Sequence, residues 1–194
     1  MDRIKSAYEM AMERFKQRKE VPQAEIDRLK YVPVGSAMAA NYLRERDYDI
    51  FVEIGKYPEE VKGYIGEGIQ ETLLNNILPP AAKSTQETNI RAMEGLFLMK
   101  KDKQAVGEVF SQMNNLFNYY EKASAQVYEQ FKENFAAKIS ATVKSLKNRA
   151  GGRIKVDPEK QPGFREEWIK ALGHFNSQYA AVLKEQKDKL RKIN

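Results

Sequence analysis

The chain has 194 residues, with 33 Lys and Arg against 27 Asp and Glu, one His and no Cys. The lack of Cys excludes thiol nucleophiles, disulfide frameworks and Cys-ligated zinc or iron–sulfur sites. A hydrophobic content of 42% is enough to build a folded core. The charged residues 1–5 and the absence of any run of about 18 apolar residues indicate neither an export signal nor a membrane span, so we predict a cytoplasmic protein.

Apolar residues recur every three or four positions along almost the whole chain, which predicts an all-α fold. In the first hundred residues, Pro and Gly divide this pattern into short helices. The predicted helices cover residues 2–19, a short stretch after Pro22, residues 37–46, 48–56 and 58–77, and a segment opened by Ser84 and Glu87 in a capping box. The segment Pro33–Ser36 is expected to separate two helices, and Ile26 and Leu29 are expected to point inward.

One long helix is predicted over about residues 103–147. Its apolar positions recur at a mean spacing of about 3.6 residues, the period of a straight α-helix. These positions are Val106, Phe110, Met113, Phe117, Tyr120, Ser124, Val127, Phe131, Phe135, Ile139, Val143 and Leu146. The sequence does not decide whether the preceding helix continues into this one across Lys100–Lys103.

A second long helix is predicted from Pro162 onward, and we expect it to pack antiparallel on the first. The linker, residues 148–161, is short and contains a Gly-Gly pair and an Asp-Pro turn signal. The apolar positions of this helix are Phe164, Trp168, Leu172, Phe175, Tyr179, Leu183, Leu190 and Ile193. They predict an aromatic-rich seam between the two helices.

The short linker sets the expected register, in which Trp168 lies near Ile139 and Tyr179 lies near Tyr128. The predicted fold is therefore all-α and elongated, with a long antiparallel, coiled-coil-like helical hairpin and a cluster of shorter N-terminal helices. The two parts, expected to form one continuous structural unit, are residues 1–101 and residues 102–194.

Residue types that support common enzyme chemistry are sparse. A single His excludes a di-metal bundle built on Glu-x-x-His pairs, and His174 is expected on the surface of its helix. No Gly-x-Ser-x-Gly motif marks a hydrolase. The glycines of Gly63–Gly68 do not follow a strand, so they predict close helix packing rather than phosphate binding. We predict no cofactor, no metal site and no enzymatic activity.

Small side chains in residues 35–40, followed by a polar cluster, form a corner of the predicted fold. If a small ligand binds this protein, we expect it at this Gly35–Asp49 corner. The candidate residues are Asn41, Tyr42, Arg44, Arg46, Asp47 and Asp49. The alternative is a tight helical corner whose Arg and Asp side chains pair on the surface.

The net charge of +6 is confined to one segment. Residues 134–156 contain six basic residues and no acidic one, so the rest of the chain is balanced. This basic tip consists of Lys138, Lys144, Lys147, Arg149, Arg153 and Lys155. Such a cluster is typical of a contact with phosphate or an acidic surface, and the lack of nearby aromatic residues limits nucleic-acid contact to the backbone. The alternative is a solvated helix end, where the helix dipole favours cations.

Three functions remain open from the sequence. The first is a non-enzymatic helical scaffold or adaptor that acts through self-association or a protein partner, because a long hairpin offers a large surface. The second is a module that contacts nucleic acid weakly and without sequence preference through the basic tip. The third is a small-ligand binder at the Gly35–Asp49 corner. None of the three involves a membrane.

Overall fold

The computed structural model describes residues 6, 8–10, 12, 21–146 and 157–194, without the side chains of residues 141–146. These residues form α-helices, one short 3-10 helix and the connecting turns, and no strand occurs among them. The predicted all-α fold is confirmed. None of the described helices combines the length and the apolar content that crossing a membrane requires. Most of the helix predicted over residues 2–19 lies outside the described residues.

The chain forms two compact units, Met1–Glu71 and Thr72–Asn194. The described helices, numbered in chain order, are α1 (Gln23–Arg44), α2 (Ile50–Gly55), α3 (Glu59–Asn76), α4 (Lys83–Met99), α5 (Lys103–Leu146) and α6 (Phe164–Lys192), with a 3-10 helix (Pro158–Lys160) between α5 and α6. The division into residues 1–101 and 102–194 stays a prediction.

Helix α1 runs through Pro33–Ser36, where the sequence predicted a break. A proline inside a helix removes a hydrogen bond and costs about 3 kcal/mol. Close packing in the first unit offsets this loss. A Cβ on Gly35 would lie 1.9 Å from the carbonyl oxygen of Ile65, and a Cβ on Gly68 would lie 2.0 Å from that of Val32. The predicted break was wrong because α1 crosses α3 at glycines that bring the two backbones into contact.

The N-terminal half of α1 exposes two residues that were predicted to point inward. Ile26 is 45% exposed and Leu29 is 71% exposed. The buried face of α1 is fixed by Gly35, Met38, Ala39 and Tyr42. When this buried face is continued along the helix toward its N-terminus, it passes between Ile26 and Leu29. Both side chains therefore point away from the buried face.

Helix α3 begins directly after Pro58, as predicted. Helix α4 starts one residue before Ser84, and its N-cap, Ala82, provides no side-chain hydrogen bond. The predicted capping box of Ser84 and Glu87 was therefore wrong. Ser84 lies inside the first turn of α4, where its side chain cannot take the cap position.

Asn89 of α4 binds the segment that precedes this helix. Its side chain is 2% exposed. The Oδ1 atom accepts the main-chain N–H of Leu78 at 2.9 Å, and Nδ2 donates to the Leu78 carbonyl at 2.7 Å. One amide thus satisfies both main-chain polar groups of a residue outside any helix.

Helices α4 and α5 are separate, so the helix that precedes Lys100–Lys103 does not continue into the long helix. The sequence alone did not decide this point. The Lys103 ammonium donates to the carbonyls of Phe97 and Leu98 at the end of α4. Asp102 caps α5, because its carboxylate accepts the N–H of Ala105 at 2.9 Å. Each helix end at the break therefore has polar partners.

Residues 193–194 bind this same break and form what we call the C-terminal clasp. The main-chain N–H groups of Lys101 and Asp102 donate to the carbonyl oxygen of Asn194 at 2.9 Å and 3.2 Å. The Lys100 ammonium donates to the carbonyl of Ile193. Lys100 is 8% exposed, and this burial lowers its pKa.

Helices α5 and α6 form the predicted antiparallel hairpin. The apolar positions predicted along both helices are buried or half-buried wherever side chains are described. The side chains of Val143 and Leu146 lie outside the described residues. Periodicity alone therefore identified the contacting faces of both helices.

The register of the hairpin differs from the prediction by about eight residues. Trp168 packs against Phe131, with 5.4 Å between ring centroids, rather than near Ile139. Tyr179 packs against Tyr120 at 4.9 Å, which is a shift of the same size. The predicted register was wrong because it did not foresee that the residues just before α6 contact α5 as far back as Tyr128 and Lys132.

The 3-10 helix Pro158–Lys160 lies within the connection between the two helices and is bound to α5. The Glu159 carboxylate accepts hydrogen bonds from the Tyr128 hydroxyl at 2.9 Å and the Lys132 ammonium at 2.5 Å. These bonds, the one from Lys132 above all, lower the pKa of Glu159. Helix α6 starts only after this turn, following Gly163 with a φ of 86°.

Candidate functional site

Most of the basic tip lies outside the described residues. The Lys138 ammonium lies 3.0 Å from the Glu167 carboxylate of α6, so this cation is bound to the hairpin itself. Lys144 lies in α5, and its side chain is not described. The remaining residues of the tip outside the described ranges are Lys147, Arg149, Arg153 and Lys155. Their role stays a prediction.

Four residues of the predicted ligand corner support the fold of the first unit. Tyr42 is 9% exposed in its core. The Asn41 side chain accepts a hydrogen bond from the Arg44 guanidinium in the last turn of α1. The Asp49 carboxylate caps α2 by accepting the N–H of Phe51 at 2.8 Å. These four side chains therefore take part in packing or capping within the first unit, and a role in ligand binding stays a prediction.

The other two corner residues, Arg46 and Asp47, line an open cleft of about 600 Å³ in the first unit. Its lining residues are Glu45, Arg46, Asp47, Tyr48, Asp49, Val52 and Glu53. Four carboxylates and one guanidinium make the cleft acidic. The Lys56 ammonium lies 2.6 Å from the Glu53 carboxylate, which raises the pKa of Lys56. Binding of a small ligand here stays a prediction.

The hairpin carries two separate clusters of aromatic side chains. In the distal cluster, Phe164 lies 5.2 Å from Phe131 and 5.1 Å from Phe135 between ring centroids. Trp168 lies 5.0 Å from Tyr128 with the ring planes at 77°. Edge-to-face contacts of this kind stabilise a helix pair beyond the area that they bury.

The proximal cluster consists mainly of tyrosines. The Tyr120 hydroxyl donates to the Asn176 side chain at 2.7 Å. The Tyr179 hydroxyl is buried and has no partner among the described residues. Tyr119 is 65% exposed and stacks on Tyr179 at 5.9 Å. Burial raises the pKa of both Tyr120 and Tyr179.

Tyr179→Phe is expected to stabilise the second unit by about 1 kcal/mol, because it removes a buried hydroxyl without a partner. Tyr120→Phe is the matched control and should destabilise by about 1 kcal/mol, since it removes the hydrogen bond to Asn176. Urea unfolding monitored by circular dichroism measures both changes. Equal effects of the two substitutions would contradict this assignment.

The stability difference between Tyr179→Phe and the wild type is expected to depend on pH. The folded pKa of Tyr179 lies above its unfolded value of about 10, so the unfolded state releases the proton first. The free energy of unfolding of the wild type is therefore highest below pH 10, as far as Tyr179 determines it, and falls as the pH rises toward the folded pKa of Tyr179. The advantage of Tyr179→Phe over wild type should therefore grow between pH 9 and pH 11, roughly the range around the tyrosine pKa.

Three large apolar side chains of the hairpin are exposed. Tyr119, Ile169 and Val182 are 65%, 59% and 43% exposed. The sequence analysis missed them because it assigned one apolar stripe to each helix. Ile169 directly follows Trp168, so it lies about 100° around the helix from the buried stripe, and this offset was the available signal.

A sequence model of the family of unknown function DUF6657 matches residues 51–192, about three quarters of the chain. The chain belongs to the DUF6657 family. No curated protein and no solved structure matches it. The DUF6657 match contains helices α3 to α6, and so the whole hairpin, whereas most of the cleft lining precedes it. The DUF6657 match therefore includes both helices of the hairpin but only a small part of the cleft lining.

Proposed function

We propose that this protein is a non-enzymatic helical scaffold or adaptor of the cytoplasm that binds a second helical surface through its α5–α6 hairpin. One observation carries the proposal: apolar side chains along the hairpin keep contact with solvent. The half-buried residues are Phe117, Val127, Phe131, Trp168, Leu172 and Phe175. A coiled-coil-like contact with another helix would cover them.

The physical reason is the geometry of two packed helices. Each helix covers only one side of the apolar seam, so the seam stays open on its flanks unless further helices pack there. Covering apolar surface stabilises an association by roughly 25 cal/mol for each Å² removed from water. The entropy that the partners lose on binding opposes this gain. The exposed Tyr119, Ile169 and Val182 add to this open surface.

The proposal assigns no catalytic residue. His174, the only histidine of the chain, is exposed on α6. In the part of the chain that the structure describes, no three acidic or histidine side chains are placed to hold a metal ion.

Self-association is tested by size-exclusion chromatography with light scattering over a range of micromolar concentrations. We expect a dimer or a larger assembly of the 22.4 kDa chain, because association would cover apolar side chains that a single hairpin leaves in contact with solvent. A mass of one chain at every concentration would contradict self-association.

A second candidate function is contact with the phosphate backbone of nucleic acid. It is supported by the segregation of charge in the sequence, where all six excess positive charges fall in residues 134–156. Because each phosphate contact contributes about −0.9 to the slope of log affinity against log salt, six contacts predict a slope of about −5. Anisotropy of a labelled DNA duplex measures this slope.

Charge-reversal variants distinguish binding through the basic tip from general attraction to the net charge of the protein. Changing Arg149, Arg153 and Lys155 to Glu should weaken binding and reduce the slope by about 3. The control changes three exposed lysines to Glu, with the same effect on net charge: Lys83, Lys122 and Lys192. Equal losses in the two triple variants would show attraction to net charge alone and remove the tip as a site.

A further inference from the structure

Helix α6 has a second face, on which seven residues recur at steps of three, four or seven. This Gly173 face consists of Glu166, Ile169, Gly173, Ser177, Ala180, Lys184 and Lys187. At 100° per residue it lies about 120° around the helix from the buried stripe that contacts α5. Six of the seven residues are exposed, and Lys187 is half-buried.

Gly173 has no packing contact among the described residues that would explain a glycine there. It lies in the middle of a 29-residue helix, where glycine is about 1 kcal/mol less favourable than alanine. A Cβ at this position would meet no atom within 4 Å. Gly63 and Gly107 are as open as Gly173, but each lies in the second turn of its helix rather than in the middle. Gly35 and Gly68, by contrast, each allow a backbone contact within this chain. A backbone that approaches Gly173 from outside would give this glycine the same purpose.

The surroundings of Gly173 fit a close helix contact. Ile169, one turn before it, is 59% exposed, and Ala180, two turns after it, is exposed and small. The Ser177 hydroxyl donates to the Gly173 carbonyl at 2.9 Å, so it makes no demand on a partner. The centre of the face is therefore small and largely apolar.

The charges at the two ends of this face are opposite. Glu166 lies at the N-terminal end, and Lys184 and Lys187 lie at the C-terminal end. Lys187 is half-buried and has no ion-pair partner among the described residues, and burial lowers its pKa. Glu166 is bound by Lys170 at 2.8 Å but remains exposed. An identical face turned through 180° would place each end against its opposite charge.

We propose that the Gly173 face binds the same face of a second copy in an antiparallel, two-fold symmetric helix contact. An axis beside Asn176 and Ser177 pairs Gly173 with Ala180 of the second copy. The same axis pairs Glu166 with Lys187 of the second copy, and it does so twice because the contact is isologous. Ile169 packs on the aliphatic stem of Lys184 of the second copy. This inference rests on the proposed self-association and places one contact of it on a face of α6 that is separate from the half-buried seam.

The decisive variant is Gly173→Gln. Glutamine is a better helix former than glycine and meets open space in the single chain, so the fold is retained. Its side chain would occupy the close approach between Gly173 and Ala180 of the second copy, and we expect the dimer dissociation constant to rise at least about tenfold, the effect of a few lost contacts. The matched control is Gly107→Gln on α5, where a Cβ also meets no atom within 4 Å and the dimer should persist.

Charge exchange tests the antiparallel pairing by analytical ultracentrifugation. Glu166→Lys and Lys187→Glu should each weaken the dimer, and the double variant should restore it, because the pairs re-form with exchanged charges. A dimer unaffected by Gly173→Gln and by both charge changes would overturn the Gly173 face while leaving the scaffold function intact. A wild-type protein that is monomeric at all concentrations would overturn both.

Discussion

Gly68→Ala is expected to lower the free energy of unfolding of the first unit by about 3 kcal/mol, the upper range for overpacking. The added Cβ would lie 2.0 Å from the Val32 carbonyl oxygen and 3.0 Å from the Ser36 nitrogen. Both are main-chain atoms, which cannot rotate away as a flexible side chain would. Helix α1 must therefore move as a body, and it loses contacts along its buried face. Gly35→Ala, 1.9 Å from the Ile65 carbonyl oxygen, should have an effect of the same size.

Gly63→Ala is the matched control for this prediction. It lies in the same helix α3, and a Cβ there meets no atom within 4 Å. Alanine should stabilise the helix at this position by about 0.5–1 kcal/mol, because it restricts the unfolded chain. Urea titration of the three variants measures the difference. Equal stability of Gly68→Ala and Gly63→Ala would show that the close crossing does not exist in solution.

The second large effect is expected at Asn89. Asn89→Asp keeps an acceptor for the Leu78 N–H but turns the donor into an oxygen that faces the Leu78 carbonyl. The carboxylate is also placed where the native side chain is 2% exposed. We expect a loss of about 3 kcal/mol at pH 7, typical of a buried polar group whose partner is removed.

This loss should depend on pH. Burial and the facing carbonyl raise the folded pKa of an aspartate at position 89 above its unfolded value of about 3.9. The variant is therefore closest to wild type at low pH and loses stability as the pH rises from 3.9 through the folded pKa. Thermal unfolding at pH 4 and pH 7 measures the change. Asn118→Asp, at an exposed position of α5, is the control and should show no comparable dependence.

Periodicity predicted the faces of the two long helices but not how they meet. The stripe from Val106 to Ile139 was correct because a helix can bury only one side, and spacing alone identifies that side. The register depends on the 3-10 helix at Pro158 and on the hydrogen bonds of Glu159, which involve residues distant in sequence. No local pattern contains this information.

In the first unit, a local sequence rule failed because contacts distant in sequence override it. Pro33 predicted a break, yet α1 continues through it, because the contacts of Gly35 and Gly68 depend on a helix thirty residues away. The sequence did predict that small residues here serve close helix packing. Of the predicted ligand corner, Arg46, Asp47 and Asp49 line the cleft. Tyr42 is instead buried in the core, and Asn41 and Arg44 are hydrogen-bonded to each other in α1.

The C-terminal clasp determines the order in which the second unit can assemble. Its contact between Lys100 and Ile193 joins residues 93 positions apart, whereas Phe131 and Phe164 of the distal cluster are much closer in sequence. Closing the longer loop from the unfolded chain costs about 1 kcal/mol more in chain entropy. We therefore expect the hairpin to form first at its distal aromatic cluster and the clasp to close last.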